Sequence, residues 1–536
     1  MASVEPPRPE HAQSASSSAT ASSTVDQKSA DEKAGAHLEL LDKLGQSVPR
    51  TLDIQASRRI YVNRNLRMDE IDVIGFDMDY TLALYHQANL EALSIQCTLD
   101  KLCKSRGYPE EILGLDYDST YALRGLVVDR QHGNIFKMDR YGHVGRVYHG
   151  KRLLSREERH QLYRTQRIRL SHPRYAWIDT LFALPEATMY ATLVEYADSR
   201  ALAPWFKGYN QLWQDIRDCI DEAHRDETLK RVIKTHLADY IVKDPDLAPT
   251  LHKFRSSGKR LFLLTNSAWD YTDPVMCHLL DGVLPAYPSW RNYFDVIIVS
   301  GAKPAFFTER HPFYELDGSG QVRGEVKEGP LLRGRIYQGG NLPEFESMVG
   351  ASGDRILYIG DHIYGDMLRA KKSSVWRTAM ILQELEDELT ALDKKKDDVA
   401  RLETLERQGI RLDSEIAYQQ QLLKSLQRAA DGTSAVEHED SAVVEAAKRE
   451  AKRRLDQLKG SMKASQEEIE RIERDLERSF NPYWGQIFRE GVENSRFGEQ
   501  VESYACVYTS RVSNFLAYSP LRYFRSPRDH MPHELV

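Results

Sequence analysis

The chain is expected to fold as an α/β protein on a Rossmannoid parallel sheet, carrying a large, mainly helical insertion and a long helical hairpin. Three observations predict this. Four short apolar runs have the length and residue types of buried parallel strands: DVIGF before Asp77, RLFLLT ending at Thr265, FDVIIVS ending at Ser300 and RILYIG ending at Gly360. Each is followed at once by polar residues. About 180 residues separate the first strand end from the second, far more than a strand-to-strand crossover needs, so a folded insertion must lie between them. From Leu385 to Phe480 the composition shifts to Glu, Lys, Gln and Leu at helical spacing.

In chain order, residues 1–40 are rich in Ser, Ala and Pro with mixed charge and no apolar core segment, which argues for a disordered tail and against a secretory signal. After the tail, HLELLDKL predicts a short helix, and residues 41–85 begin the core and carry the first motif. Residues 86–245 form the inserted cap, helical from about Pro185 to Ile241, and 246–384 return the other core strands. In 385–480, Leu412, Ile416, Leu423 and Leu426 on one arm face Leu455, Leu458, Met462, Ser465, Ile469, Ile472 and Leu476 on the other. These arms predict an antiparallel coiled-coil hairpin, for which a solvated strut is favoured over an oligomerisation surface. Residues 481–536 are rich in aromatics and are expected to pack back on the core.

At 536 residues and 61.6 kDa, the chain exceeds what one hydrophobic core usually organises. A net charge of -7 gives no global basic field to recommend nucleic acid or an anionic membrane. Five cysteines without a CxxC pair favour neither a disulfide framework nor a thiolate zinc site, so a reducing cytoplasm is expected. No run approaches the roughly 20 apolar residues of a membrane helix.

In open parallel sheets ligands bind beyond the carboxyl ends of the strands, so the four polar ends are predicted to meet in one crevice. Asp77 can attack phosphorus as a nucleophile, and Asp79, two residues on, can shuttle protons to the leaving alkoxide and from water. The chain must bend sharply there, and Thr81 suits the turn. Thr265, Asn266 and Ser267 offer a hydroxyl and amides for phosphate oxygens, and Lys303 can neutralise both phosphate and nucleophile. Asp361 and Asp366 need a cation; Mg²⁺ held by Asp77, the backbone carbonyl of Asp79 and Asp361, with Asp366 behind them, is the economical choice. Singly, each piece has a bland reading as a turn, a helix cap or a solvated lysine. Four matching groups at four successive strand ends favour the catalytic one.

The motifs DMDYT, LLTNS, AKP and GDHIYGD resemble the haloacid-dehalogenase superfamily of aspartate-nucleophile phosphohydrolases. The longer strings GFDMDYTLALY, LFALPEAT, DIRDCIDEAH, YIGDHIYGDMLRAKK and MPHE are similar to its cytosolic purine 5'-nucleotidase family, the type that prefers IMP and GMP. The likeness runs from about Arg58 to Leu382 and over Asn481 to Glu534; the hairpin is similar only in position. It implies a haloacid-dehalogenase-like core with the roles above for Asp77, Asp79, Thr265, Ser267, Lys303 and Asp361.

In the cap, Arg217, Asp221 and His224 recur at i, i+4 and i+7 on one helix face, which alone reads as an exposed ion pair worth about a few tenths of a kcal/mol beside a bystander histidine. The resemblance implies instead that Arg217, Asp221, His224 and Lys230 line the nucleotide pocket. Asp221 would accept from a purine ring N–H, Arg217 and His224 would donate to a 6-oxo group, and Phe182 would stack on the base. It also places a nucleotide effector site near Arg169, Asp179, Tyr364 and Lys372; Asp179 and Tyr364 stand where the family has asparagine and phenylalanine, and the extra negative charge weighs against activation by ATP.

The expectation is thus a cytoplasmic, homo-oligomeric, Mg²⁺-dependent 5'-nucleotidase acting on IMP and GMP through an aspartyl-phosphate, with nucleoside phosphotransferase activity as a corollary. Two alternatives stay open: a phosphatase of another ester on the same core, and a non-enzymatic assembly protein that uses the hairpin.

Overall fold

A computed structural model of the protein describes residues 54–535 apart from 166–167, 201–203, 328, 369–373, 431–440 and 529. The tail at 1–40, the helix expected in HLELLDKL, most of the hairpin's polar turn and Lys372 lie outside the described residues.

The core is a ten-stranded sheet of β1 (Tyr61–Val62), β2 (Val73–Phe76), β3 (Arg260–Leu264), β4 (Val296–Val299), β5 (Phe313–Leu316), β6 (Val322–Val326), β7 (Ile336–Gly339), β8 (Ile356–Gly360), β9 (Arg377–Ile381) and β10 (Val507–Thr509). Their spatial order is β1-β10-β9-β8-β2-β3-β4-β7-β5-β6. The seven strands from β10 to β7 run parallel, and antiparallel strands close both edges. Every residue of β2, β4 and β8 is buried, which is why these strands read as unbroken apolar runs rather than alternating ones. Phe76 pairs with Leu263 on one side and Ile359 on the other, so the first, second and fourth polar ends emerge level with one another.

Short strands Leu84–Tyr85 and Ile241–Val242 pair antiparallel, so the cap leaves and re-enters the core at one point. Helices α1 (Gln87–Arg106), α2 (Leu184–Asp198), α3 (Tyr209–Arg225) and α4 (Thr228–Thr235) pack together. On α3, Leu212, Trp213, Ile216, Cys219, Ile220 and Ala223 form the buried stripe, which leaves Arg217, Asp221 and His224 along its rim.

The cap is not helical throughout. Between α1 and α2 lies a five-stranded antiparallel sheet of Leu126–Asp129, Asn134–Met138, Val144–His149, Arg152–Leu153 and Tyr175–Ile178, in place of part of the mainly helical insertion expected. Its runs are short and β-branched, and the first two are buried at every position, so they show no clean two-residue alternation. Val127, Phe136, Met138, Val147, Tyr163 and Tyr175 give this sheet a core of its own.

Beyond β9, helix α5 (Lys396–Ala430) and helix α6 (Ser441–Glu477) form an antiparallel pair, with Arg401 near the start of one bonded to Glu468 near the end of the other at 2.9 Å. Leu405, Leu455 and Ile472 are buried in the seam. The C-terminal stretch supplies β10 and helix α7 (Arg496–Tyr504), and its fully buried Trp484 donates through Nε1 to the carbonyl of Tyr121 in the cap. No helix among the described residues is long and apolar enough to cross a membrane.

Candidate active site

The first motif turns as soon as β2 ends. The Asp77 amide still donates to Ile359 of β8, but the carbonyl of Met78 accepts from Thr81, Leu82 and Ala83, and Tyr80 takes a left-handed φ of 54°. The turn brings Asp79 back toward the same crevice as Asp77. The strain at Tyr80 is held by its buried ring, edge-on to Phe182 at 4.7 Å and tilted on Tyr85 at 4.9 Å.

Lys303 is the hub of the cluster. Its Nζ lies 2.8 Å from Asp77 Oδ2 and 2.8 Å from Asp366 Oδ1, and it donates to the Tyr358 hydroxyl at 2.9 Å. Burial pulls its pKa down, but the charges of Asp366 and Asp77 outweigh that and hold it well above the usual lysine value, as an ammonium. The loop that carries it is shaped by left-handed Ser300 and Ala302 and is clamped by Asn266, whose side chain donates to the Lys303 carbonyl at 2.9 Å and accepts from its amide at 2.6 Å.

Asp361 and Asp366 follow β8. Gly360 makes their approach feasible: a Cβ there would lie 2.4 Å from Asp366 Oδ2, which accepts from the His362 amide at 3.2 Å. Asp77, Asp361 and Asp366 each offer an oxygen within 4.8 Å of the others, and all three are buried. Burial and mutual repulsion push Asp361 up to about 7 and raise Asp77 well above the usual carboxylate range, against the pull of Lys303. Of these acids Lys303 meets only Asp77 and Asp366, Asp361 has the Arg124 guanidinium no nearer than 3.9 Å, and the donors the three present to one another are oxygens only. That donor set fits a hard divalent cation such as Mg²⁺.

Asp79 sits to one side of this cluster with both oxygens engaged. It accepts from the Tyr85 hydroxyl at 2.5 Å and from Ser267 Oγ at 2.8 Å, while the Tyr271 hydroxyl is 2.9 Å from that of Tyr85. Neither tyrosine was singled out by the sequence: Tyr85 ends the apolar string TLALY, and Tyr271 stands in WDYTDP, where nothing sets it apart. Tyr85→Phe should therefore free one Asp79 oxygen and lower kcat roughly tenfold with KM little changed, since a hydrogen bond to a charged group contributes about 1.5–3 kcal/mol. Steady-state kinetics on the folded variant checks this, and wild-type kcat would refute it.

Above these groups opens a cavity of about 420 Å³, walled on the cap side by Phe182, Asp221, His224 and Lys230 and on the core side by Asp77, Asp79, Asn266, Ser267, Lys303, Asp361 and Asp366. His224 stands edge-on to Phe182 at 6.1 Å, and burial lowers its pKa, which favours the neutral imidazole. Lys230 Nζ lies 5.6 Å from the centre of the Tyr271 ring. Two expected residues are not on this wall. Thr265 is fully buried, and its hydroxyl accepts from the Ser267 amide at 3.1 Å, so it shapes its own loop. Arg217 turns away to Glu186 at 2.6 Å, a buried acid that burial pushes up to about 7 and Arg217 holds back.

Of the residues placed near an effector site, Arg169 is exposed and Tyr364 is 43% exposed. Asp179 lies 3.6 Å from His362 Nε2. Burial would lower His362, but Asp179, Asp366 and Asp361 together drive it up to about 9.

An acid at the end of the central parallel strand, a second acid two residues on, a buried lysine and two further acids after the neighbouring strand form the arrangement expected of a haloacid-dehalogenase-like core. The chain belongs to the 5' nucleotidase family, whose model matches residues 60–536. It is 29% identical over 496 residues to a 5'-nucleotidase domain-containing protein of Dictyostelium discoideum, covering 90% of this chain and 76% of that one. It is 33% identical over 378 residues to human 5'-nucleotidase domain-containing protein 2, covering 68% of this chain and 70% of the relative. Among solved structures, a 2-haloacid dehalogenase from Pseudomonas syringae aligns over 58% of this chain and 86% of its own at 12% identity, with a TM-score of 0.21.

Proposed function

We propose that the protein is a Mg²⁺-dependent 5'-nucleotidase that hydrolyses purine nucleoside 5'-monophosphates, with IMP and GMP as its preferred substrates. The observation that carries this reading is the shared cavity: the Asp77–Lys303–Asp366 cluster forms its floor, and a cap wall of one aromatic ring and mixed polar groups faces it. The phosphate and the base of one small molecule can reach the two sides together.

In this reading Asp77 Oδ attacks phosphorus, the bond to the ester oxygen breaks, and Asp79 gives the leaving 5'-oxygen its proton. Asp79 then takes a proton from water as that water attacks the aspartyl-phosphate, and phosphate leaves with Asp77 regenerated. Lys303 and the backbone amide of Asn266 offset the charge that builds on the phosphoryl oxygens. Asp77, Asp361 and Asp366, with the Asp79 carbonyl, would hold Mg²⁺, which supplies Lewis-acid polarisation of the phosphate. A nucleoside hydroxyl in place of water gives phosphotransfer by the same steps.

On the cap side, Phe182 stacks the base, Asp221 accepts from a ring N–H, and His224 and Lys230 donate to the 6-oxo group. Arg217, held by Glu186, supports Asp221 from 3.7 Å rather than meeting the base. Phosphate release across IMP, GMP, AMP, pyrimidine monophosphates and an aryl phosphate, with and without Mg²⁺, tests the reading; turnover of nucleotides no better than of the aryl ester would overturn it. Phe182→Leu should raise KM for IMP roughly tenfold at unchanged kcat, as loss of a base–aromatic stack predicts. Asp221→Ala should erase the preference for 6-oxo purines.

A further inference from the structure

Arg124 lies in YALRGLVVD, just before the first strand of the cap sheet, where a cation reads as a surface residue. Its side chain is completely buried. Nε and Nη2 each donate to one oxygen of Glu384 at 2.6 Å, Nη1 donates to the backbone carbonyl of Asp361 at 2.8 Å, and Nη1 lies 3.9 Å from Asp361 Oδ2. The ring of Phe497 on α7 covers the guanidinium at 5.2 Å. Gly125 permits that contact, because its φ is +94° and a Cβ there would come within 2.6 Å of the Phe497 Cβ.

One buried cation therefore ties together the cap sheet, the loop after β8, the residue that precedes the helix Leu385–Lys394 at the hairpin's root, and the C-terminal segment. All its charge-assisted bonds go to Glu384 and Asp361. A planar fork can hold a carboxylate with two nitrogens and still aim the third at a carbonyl, whereas an ammonium cannot keep that geometry.

We propose that Arg124 is a positioning residue for Asp361: by holding its backbone carbonyl, it fixes the direction in which the Asp361 carboxylate faces a divalent cation, and Glu384 in turn holds Arg124. The proposal rests on the cation site of the preceding reading. Groups that orient a metal ligand from behind typically cost about 10–100-fold in metal affinity when removed. A purely structural Arg124 would lower stability and leave affinity alone.

The test is Mg²⁺ titration of the substrate-free full chain, read as the midpoint of its magnesium-dependent thermal shift, for wild type, Arg124→Lys and Glu384→Gln. Both variants should shift the midpoint about tenfold or more toward higher Mg²⁺. At saturating Mg²⁺ their KM for nucleotide should stay at the wild-type value, since Arg124 does not reach the cavity. A folded variant with the wild-type midpoint overturns the proposal, and Glu384→Gln, which keeps shape, decides if Arg124→Lys does not fold. Absence of any Mg²⁺ shift in wild type would instead overturn the cation site itself, and the proposal with it.

Discussion

Asp77→Asn should abolish phosphate release from IMP, with a loss of about 10⁴-fold or more, while the protein stays folded. The amide is isosteric with the carboxylate but cannot form the acyl-phosphate. It also removes one of the two buried acids that share the Lys303 ammonium, so without Mg²⁺ the variant should melt no lower than wild type. Loss of activity with stability kept or gained is a signature that a misfolded variant cannot imitate. Phosphate release and a melting curve on the same preparation check it, and substantial residual turnover would exclude covalent catalysis by Asp77.

Lys303→Met should fail in both respects. The ammonium is 3% exposed and stands 2.8 Å from two carboxylates that are themselves buried, so its removal leaves both without a counter-charge. Breaking a buried pair in this way costs about 3–5 kcal/mol. Catalysis should fall by a further 10²- to 10³-fold, roughly the effect of deleting one donor that meets developing negative charge. Unlike Asp77→Asn, this variant should regain part of its thermal stability on adding Mg²⁺, because a divalent cation can take over the charge that the lysine supplied. Denaturant unfolding with and without Mg²⁺ measures this, and wild-type stability in its absence would show that Lys303 is not charged in the fold.

The contrast between the two predictions rests on positions that the sequence displayed openly. Asp77, Lys303, Asp361 and Asp366 each follow a run of buried apolar residues, and polar groups in that position have few structural excuses. Phe182, Asp221 and His224 could be singled out only through a family likeness, since on a bare helix their pattern is that of a solvated face. Arg217 belongs to the same pattern and yet turns to Glu186, an acid one turn into α2 whose burial nothing in PEATMYATLVEYAD foretells.

The residues that went unnoticed share a reason. Tyr85, Tyr271 and Tyr358 act through hydroxyls at the ends of rings that otherwise pack as core; the strings of Tyr85 and Tyr358 carry the signature of core, and that of Tyr271, WDYTDP, carries no signature at all. Arg124 is 237 residues from Asp361 and 260 from Glu384, and no local spacing can announce such a meeting. The cap sheet escaped for a related reason: its first two strands are buried at every position, which removes the alternation that marks a strand.

By itself the sequence determined the parallel core, the order of its four polar strand ends and the helical hairpin, because buried strands and long amphipathic helices impose composition and period locally. Only the tertiary structure decided which charges meet: Lys303 between Asp77 and Asp366, Arg217 with Glu186, Arg124 behind Asp361. Electrostatic pairing in a buried site depends on distances of a few ångströms between segments that lie from 31 to 237 residues apart in these pairs, and the packing of strands and cap sets those distances.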